Sequence, residues 1–370
     1  MVMLLLFSTL TACFHSSQSC DVINAAERGV CTENSGEANS KALQAVIDEA
    51  SLTGKTVYIP EGEYEFAENG SQTIGSHCIK MRSGVSVVGD GEKTVLKPVG
   101  HTRYGLDMFY FNDYLDTGAA IYLENCRFEN FVIDASGSSS EIYTSAGKGF
   151  MFNLFKNCHF KKVTVKNTDA TGFGVDCPIN CTITACTAIG CGKAATAESN
   201  GASGFGIGFG YSEEETITVS DCKAIGNTKF GFFFEHQGRF DIEKYCALPE
   251  FDFTVKNCFA SENLFGFGGI NAFNTFYKNC ISEKSYRYGF YFENSFESGA
   301  IRCKSSGEEK ACFAVAQSIS ADGMPDEFSG IYFSQCEGSY SHAGILTLGE
   351  YAKPVTEGCT FREMNEKQRT

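Results

Sequence analysis

The chain has 370 residues and a formal net charge of −15, with 18 cysteines, 33 phenylalanines and 39 glycines against 6 prolines and no tryptophan. That acidity excludes nucleic acid, whose phosphates need clustered Lys and Arg, and disfavours a polyanionic ligand unless a cation such as Ca²⁺ bridges the like charges. The length allows a large core, and an elongated fold of this size can be one unit.

Taken from the start, MVMLLLFSTLTAC opens with an apolar run too short to span a bilayer and suited to the h-region of an export signal. Leu10-Thr11-Ala12-Cys13 is similar to a bacterial lipobox, which implies cleavage after residue 12 and lipidation of Cys13, although no Lys or Arg precedes the run. The expectation is an exported, extracellular or cell-surface lipoprotein whose membrane contact is that anchor. Residues 13–38 read as a linker and 39–370 as the folded domain. Cys20 and Cys31 are disulfide candidates.

NSKALQAVIDEASLTG follows, with Ala42, Leu43, Val46, Ile47 and Ala50 on one helical face. Asn39 can cap its start and Gly54 its end. A strand over Thr56 to Ile59 and a Pro-Glu-Gly turn come next. Gly89-Asp90-Gly91 reads as a turn, since neither a Lys-Ser/Thr pair nor a helix follows it as a phosphate loop requires.

Beyond residue 120 one short pattern recurs. Cysteines at 126, 158, 186, 222, 258, 280, 303, 336 and 359 sit at breaks in alternating segments, the shortest intervals being 22 and 23 residues. A second landmark follows the later ones: TGFGVD from Thr171, SGFGIGFG from Ser203, FGFFFEHQ from Phe230, FGFGGIN from Phe265, YGFYFEN from Tyr288, ACFAVAQ from Ala311 and AGILTLG from Ala343. Self-similarity at this period means a solenoid, and short alternating segments broken by Gly and Asn make each unit strands and turns. The expected fold is all-β: a single-stranded right-handed parallel β-helix with an N-terminal capping α-helix that shields the edge of the first coil. Asn125, Asn157, Asp221, Asn257 and Asn279 precede cysteines at bends that need the left-handed conformation. The cysteines then turn inward as one ladder of free thiols. Cys177, Cys181, Cys186 and Cys191 lack the C-x2-C spacing of common zinc sites, so no metal centre is expected there.

The string from Ala42 through TVYIPEGEY, then GVSVVGDGEKTVL from Gly84, resembles the N-terminal segment of the pectate-lyase-like superfamily of right-handed β-helix proteins, and the coil repeat extends the likeness over about residues 40–365. The resemblance implies a relative of polysaccharide lyases, glycoside hydrolases, uronan epimerases and phage tailspikes. It does not choose among them, because function sits in sites grafted on the fold.

Counted from the first landmark glycine, positions +1 and +3 should face inward and +2 and +4 outward. Position +4 reads Asp176, Gly208, Glu235, Ile270, Glu293, Ala316, Leu348; position +5, at the bend, includes Phe209, His236, Asn271, Asn294 and Gln317; position +2 includes Phe233 and Tyr291. Long insertions flank this strip, QGRFDIEKYCALPE after Glu235 and KAATAESNGAS from Lys193, and long loops on a rigid scaffold are where sites concentrate. Asp176, Glu235, Glu293 and His236 are therefore the catalytic candidates, and Phe209, Phe233, Tyr291, Asn271, Asn294, Gln317, Arg239 and Arg287 the substrate-binding ones.

Carboxylates two coils apart have backbones about 9.6 Å apart, near the upper end of the roughly 6.5–9.5 Å that inverting hydrolysis uses. A β-eliminating lyase would instead take Arg239, Arg287 or Lys244 as base, with Ca²⁺ on Asp176 and Glu235. The expected activity is cleavage of a polysaccharide in a lateral groove, by hydrolysis or β-elimination. A glycan-binding surface protein and a uronan C5-epimerase are the alternatives. Glu213-Glu214-Glu215 reads as a solvated turn.

Overall fold

The structure, a computed structural model, describes residues 22–237, 252–318 and 330–364. It is the parallel β-helix that the repeat requires. Among these residues, one twelve-stranded sheet carries the Gly-Phe landmarks, and a twenty-one-stranded sheet folds around the other two faces of the coil.

The landmark strands stack in the register that the glycines define. Phe205 pairs with Phe232 and Gly208 with Glu235, Ile270 with Glu293, and Glu293 with Ala316. Inward, position +1 forms a phenylalanine column. Phe150, Phe173, Phe205, Phe232, Phe267, Phe290 and Phe313 lie face to face with ring centroids 4.7–5.3 Å apart. Each is fully buried, which stabilises the fold by roughly 1.5–3 kcal/mol per side chain. The stack also fixes register, because a slip of one residue would turn every ring outward.

The thiols form two ladders rather than one. His159 pairs with Thr182 while Thr164 pairs with Thr187, so Cys158 stacks on Cys181, and Cys186 stacks on Val163 at the next corner. Cys126, Cys158 and Cys181 occupy the first corner behind Asn125, Asn157 and Asn180, all left-handed at φ 57°, 52° and 51°. The second ladder starts at Cys186 and runs to Cys359, with N–H donation from Cys186 to the Cys222 sulfur at 3.3 Å and from Cys280 to the Cys303 sulfur at 3.4 Å. Both corners demand a left-handed residue followed by an inward one, so they carry the same local signal. Every described cysteine is a free thiol. Cys20 lies outside the described residues, and Cys31 donates to Glu33 Oε2 at 2.6 Å.

The capping helix spans Gly36–Thr53 and starts earlier than the sequence suggests: Ser35 is its N-cap, accepting from the Ala38 N–H. Asn39 is instead buried inside the first turn, where its side chain bonds both backbone groups of Cys31 and the Glu65 carbonyl. Leu43, Val46, Ile47 and Ala50 are buried as the periodicity requires, and Gly54 closes the helix at φ 68°. Val22–Asn24 pairs with Thr56–Tyr58. Residues 22–38, expected as linker, thus belong to the folded body.

Candidate active site

Position +4 of the landmark sheet faces outward, and its register places Asp176, Gly208 and Glu235 on three successive rungs. Asp176 projects from Phe173–Ile179 and Glu235 from Phe230–His236. Both line one cleft of about 240 Å³ with Lys148, Met151, Thr171, Asn200, Phe233 and Gln237. Gly208 is the rung without a side chain between them. Its N–H donates to Asp176 Oδ1 at 2.8 Å, and a Cβ there would lie 2.5 Å from that same oxygen and against the Gln237 amide.

The two carboxyls sit in different fields. Burial raises the pKa of Asp176, opposed by the Lys148 ammonium and by the Gly208 N–H. Burial also raises Glu235, which the negative charge of Asp176 raises further, opposed by Lys229. Asp176 therefore has partners for its anion, whereas Glu235 faces an anion. That anion favours the neutral form of Glu235. His236 stands edge-on to Phe209 at 5.6 Å, and burial lowers its pKa.

The remaining sequence candidates fall elsewhere. Phe209 is fully buried. Its strand runs on to Phe209 before turning at Gly210, φ 108°, so alternation points position +5 inward there. The Gln317 side chain is also buried, at 6% exposure. Asn271 and Asn294 do lie at the bend, with φ 50° and 44°, and Asn294 Oδ1 accepts from the Ser318 N–H at 2.9 Å. Glu293 stands beyond Ile270 and accepts from the Tyr291 hydroxyl at 2.8 Å. Tyr291 stacks on Phe265 at 5.0 Å, and the Arg287 guanidinium lies over Phe265 at 6.0 Å. These three residues belong to an aromatic patch that reaches the cleft through Phe230 and Phe233. Arg239 and Lys244 lie outside the described residues.

Two groups near Asp176 were not among the sequence candidates. Lys148 reaches the cleft from the coil before Asp176, and Asn153 pairs in register with Asp176. Their signal was present: Lys148-Gly149-Phe150-Met151-Phe152-Asn153 carries the same Gly-Phe landmark one coil earlier. The insertion from Lys193 does reach the cleft, through Asn200 and Gly201, and the Tyr143 hydroxyl donates to the Asn200 carbonyl to tie it to the neighbouring loop. Glu213 and Glu214 are exposed, but Glu215 is fully buried. It accepts N–H bonds from Gly210, Tyr211 and Ser212, so only part of that acidic triplet is a solvated turn. Among the described residues, no group of three His, Cys, Asp or Glu is placed to hold a metal ion.

A profile of the family described as rhamnogalacturonase A/epimerase, pectate lyase-like, matches residues 22–291. None of the curated proteins matches the chain. Among solved structures, the chain is similar to the A-module of the Azotobacter vinelandii mannuronan C-5 epimerase AlgE6, with TM-score 0.54, 16% identity and coverage of 91% of this chain and 98% of that one. It is also similar to a mutant tailspike protein of E. coli bacteriophage HK620 in complex with a pentasaccharide, with TM-score 0.57 and 16% identity, covering 92% of this chain and 61% of that one. ORF18 of Geobacillus virus E2 gives TM-score 0.52 at 15% identity, covering 92% of this chain and 62% of that one.

Proposed function

The chain belongs to the rhamnogalacturonase A/epimerase, pectate-lyase-like family, a family of polysaccharide-active β-helix proteins, and from that premise we propose that it hydrolyses a glycosidic bond with Glu235 as general acid and Asp176 as general base. The observation that carries this reading is the rung without a side chain at Gly208. It leaves two outward carboxyls in one cleft, two coils and about 9.6 Å apart at the backbone, with side chains that can lean together. Glu235 protonates the departing glycosidic oxygen. Asp176, the better-stabilised anion, takes the proton of a water that attacks the anomeric carbon from the opposite face. That geometry inverts the anomeric configuration, since a gap of about 6.5–9.5 Å leaves room for the water.

A second reading has its own observation, the Lys148 ammonium in the cleft. A cation there suits a substrate uronate, whose carboxylate must be neutralised before a proton is removed beside it; the outcome would be β-elimination or C5-epimerisation. Ca²⁺ on Asp176 and Glu235 would serve the same need, but among the described residues it would find only those two carboxylates, two coils apart and beside the Lys148 ammonium, a donor set that does not fit the roughly six to eight oxygens it takes. Export, with Cys13 as lipid attachment site, completes the proposal, and incorporation of labelled palmitate tests it.

The test of function is a panel of neutral and uronic polysaccharides, with Ca²⁺ and with chelator, following reducing ends and the ultraviolet absorbance of unsaturated products. Reducing ends without absorbance, abolished in Glu235→Gln with glycan binding retained, support the hydrolase. Absorbance, or altered uronate stereochemistry at constant chain length, supports the second reading. Binding without turnover across the panel refutes both and leaves a glycan-binding protein.

A further inference from the structure

We propose that Lys148 is the cation that faces Asp176 across the floor of the cleft, and that the buried carboxyl of Asp107 positions it. The inference rests on the reading of Asp176 as the base.

Asp107 belongs to the landmark strand Leu106–Phe111 and is fully buried. Its Oδ1 accepts two successive N–H groups, from Gly147 at 2.9 Å and from Lys148 at 2.7 Å. That clasp fixes the backbone where the loop re-enters the sheet ahead of Phe150–Lys156. Gly147 turns there at φ 86°, and Gly105 packs so tightly that a Cβ would lie 2.5 Å from the Ala146 carbonyl carbon. The lysine stem then crosses the face of Gly174, where a Cβ would lie 2.5 Å from Lys148 Cδ and 3.1 Å from Nζ. Gly174 and Asp176 share the outward face of one strand, so the ammonium lines the same cleft as the carboxylate and acts on it through charge rather than through a direct ion pair. Its contact at 3.2 Å is the Met151 sulfur, a weak acceptor that leaves the charge directed into the cleft. Gly174 is thus the floor that the lysine needs, as Gly208 is the gap that the carboxylates need.

The groups facing Asp176 are Lys148 from the preceding coil, Glu235 from two coils on, and the Gly208 N–H between them. Lys148 supplies the positive charge. Burial pushes Asp107 itself up to about 6, and its clasp uses an oxygen that accepts in either protonation state.

The test is a ¹³C NMR titration of the aspartate carboxyls, with Asp176 assigned through Asp176→Asn, run without substrate. Lys148→Met keeps the stem and loses the charge, and the Asp176 midpoint should rise, because the removed ammonium opposes the effect of burial on that carboxyl. Asp107→Leu removes the clasp and should move the midpoint the same way. Asp107→Asn keeps the accepting oxygen and should stay near wild type. Gly174→Ala, which displaces the lysine without touching Asp107, should reproduce the shift even if Asp107→Leu does not fold. An unchanged midpoint in Lys148→Met overturns the proposal, and equal behaviour of Asp107→Leu and Asp107→Asn overturns the positioning role. Because no turnover is needed, a shifted midpoint in a protein inactive across the panel would sink the acid–base pair and leave this inference intact.

Discussion

Substituting Gly208 by alanine separates the site from the scaffold. The added Cβ would overlap Gln237 Nε2 and sit 2.5 Å from Asp176 Oδ1, whereas ordinary contact begins at 3.4 Å, so both side-chain ends must give way, the carboxylate by about 0.9 Å. A misplacement of about 1 Å at a reacting group costs on the order of 100-fold, or about 2.7 kcal/mol of barrier. The backbone itself should welcome the change, because alanine in a strand is favoured over glycine by roughly 0.5–1 kcal/mol and Gly208 has no left-handed φ. The expected outcome is a folded protein with unchanged or slightly raised Tm and kcat/KM about 100-fold down on the polysaccharide identified in the panel. Gly206→Ala is the internal control. Its Cβ would approach Thr171 Cγ2 at 3.1 Å, a few tenths of an ångström too close, and activity should stay within a few-fold. A Gly208→Ala protein with wild-type kcat/KM would refute the claim that the rung without a side chain shapes the site.

Two further outcomes test the scaffold. Ala185 holds a left-handed bend at φ 53°, which costs an ordinary residue about 1–2 kcal/mol, partly offset by the roughly 0.5–1 kcal/mol entropic penalty of glycine. Ala185→Gly should therefore raise stability by about 0.5–1 kcal/mol in urea titration. Glu308 is buried at 2% exposure and accepts from the Ser285 N–H and the Ser305 hydroxyl; burial pushes its pKa up to about 7 from 4.5. A carboxyl raised on folding binds its proton more tightly in the native state, so its stabilising effect is complete below the unfolded value and is lost as pH rises through the folded one. Between about pH 4.5 and 7 the urea midpoint should fall, with Glu308 contributing on the order of 3 kcal/mol. Glu308→Gln should remove that component of the slope, and an identical slope in the variant would refute it.

The fold was legible because a solenoid repeats its own evidence. Seven landmarks, five of them with Gly-Phe, reproduce the register of the sheet, and with it the outward column that holds Asp176 and Glu235. Three things were not legible, each for a physical reason. The two thiol ladders look like one because both corners of the coil impose the same left-handed-then-inward requirement, and only inter-strand register shows that Cys158 meets Cys181. Phe209 turns inward because its strand runs one residue further before bending, a local length that no periodic ruler carries. The Gly-Phe landmark of its own coil marks where Lys148 enters the sheet, but the clasp on its backbone comes from a buried carboxyl forty-one residues earlier, a coupling invisible to any pattern along the chain.

The lattice of the β-helix explains why one carboxylate pair, and not another, is the one proposed to act. Side chains in one outward column are spaced in steps of about 4.8 Å, so paired acids come one step apart or two. One step is close to the roughly 5–5.5 Å of a retaining site, and two steps approach the upper limit of an inverting one. Asp176 and Glu235 stand two steps apart, and so do Glu235 and Glu293. What differs is the rung between. Ile270 fills the second gap with an aliphatic side chain that a sugar and a water would have to displace, and Glu293 is turned toward the Tyr291 hydroxyl. Gly208 puts no side chain of its own in the first gap, over which only the amide end of Gln237 reaches, and its N–H donates to Asp176. With the scaffold fixing distance in units of one coil, a single glycine decides where a glycosidic bond can lie between two acids.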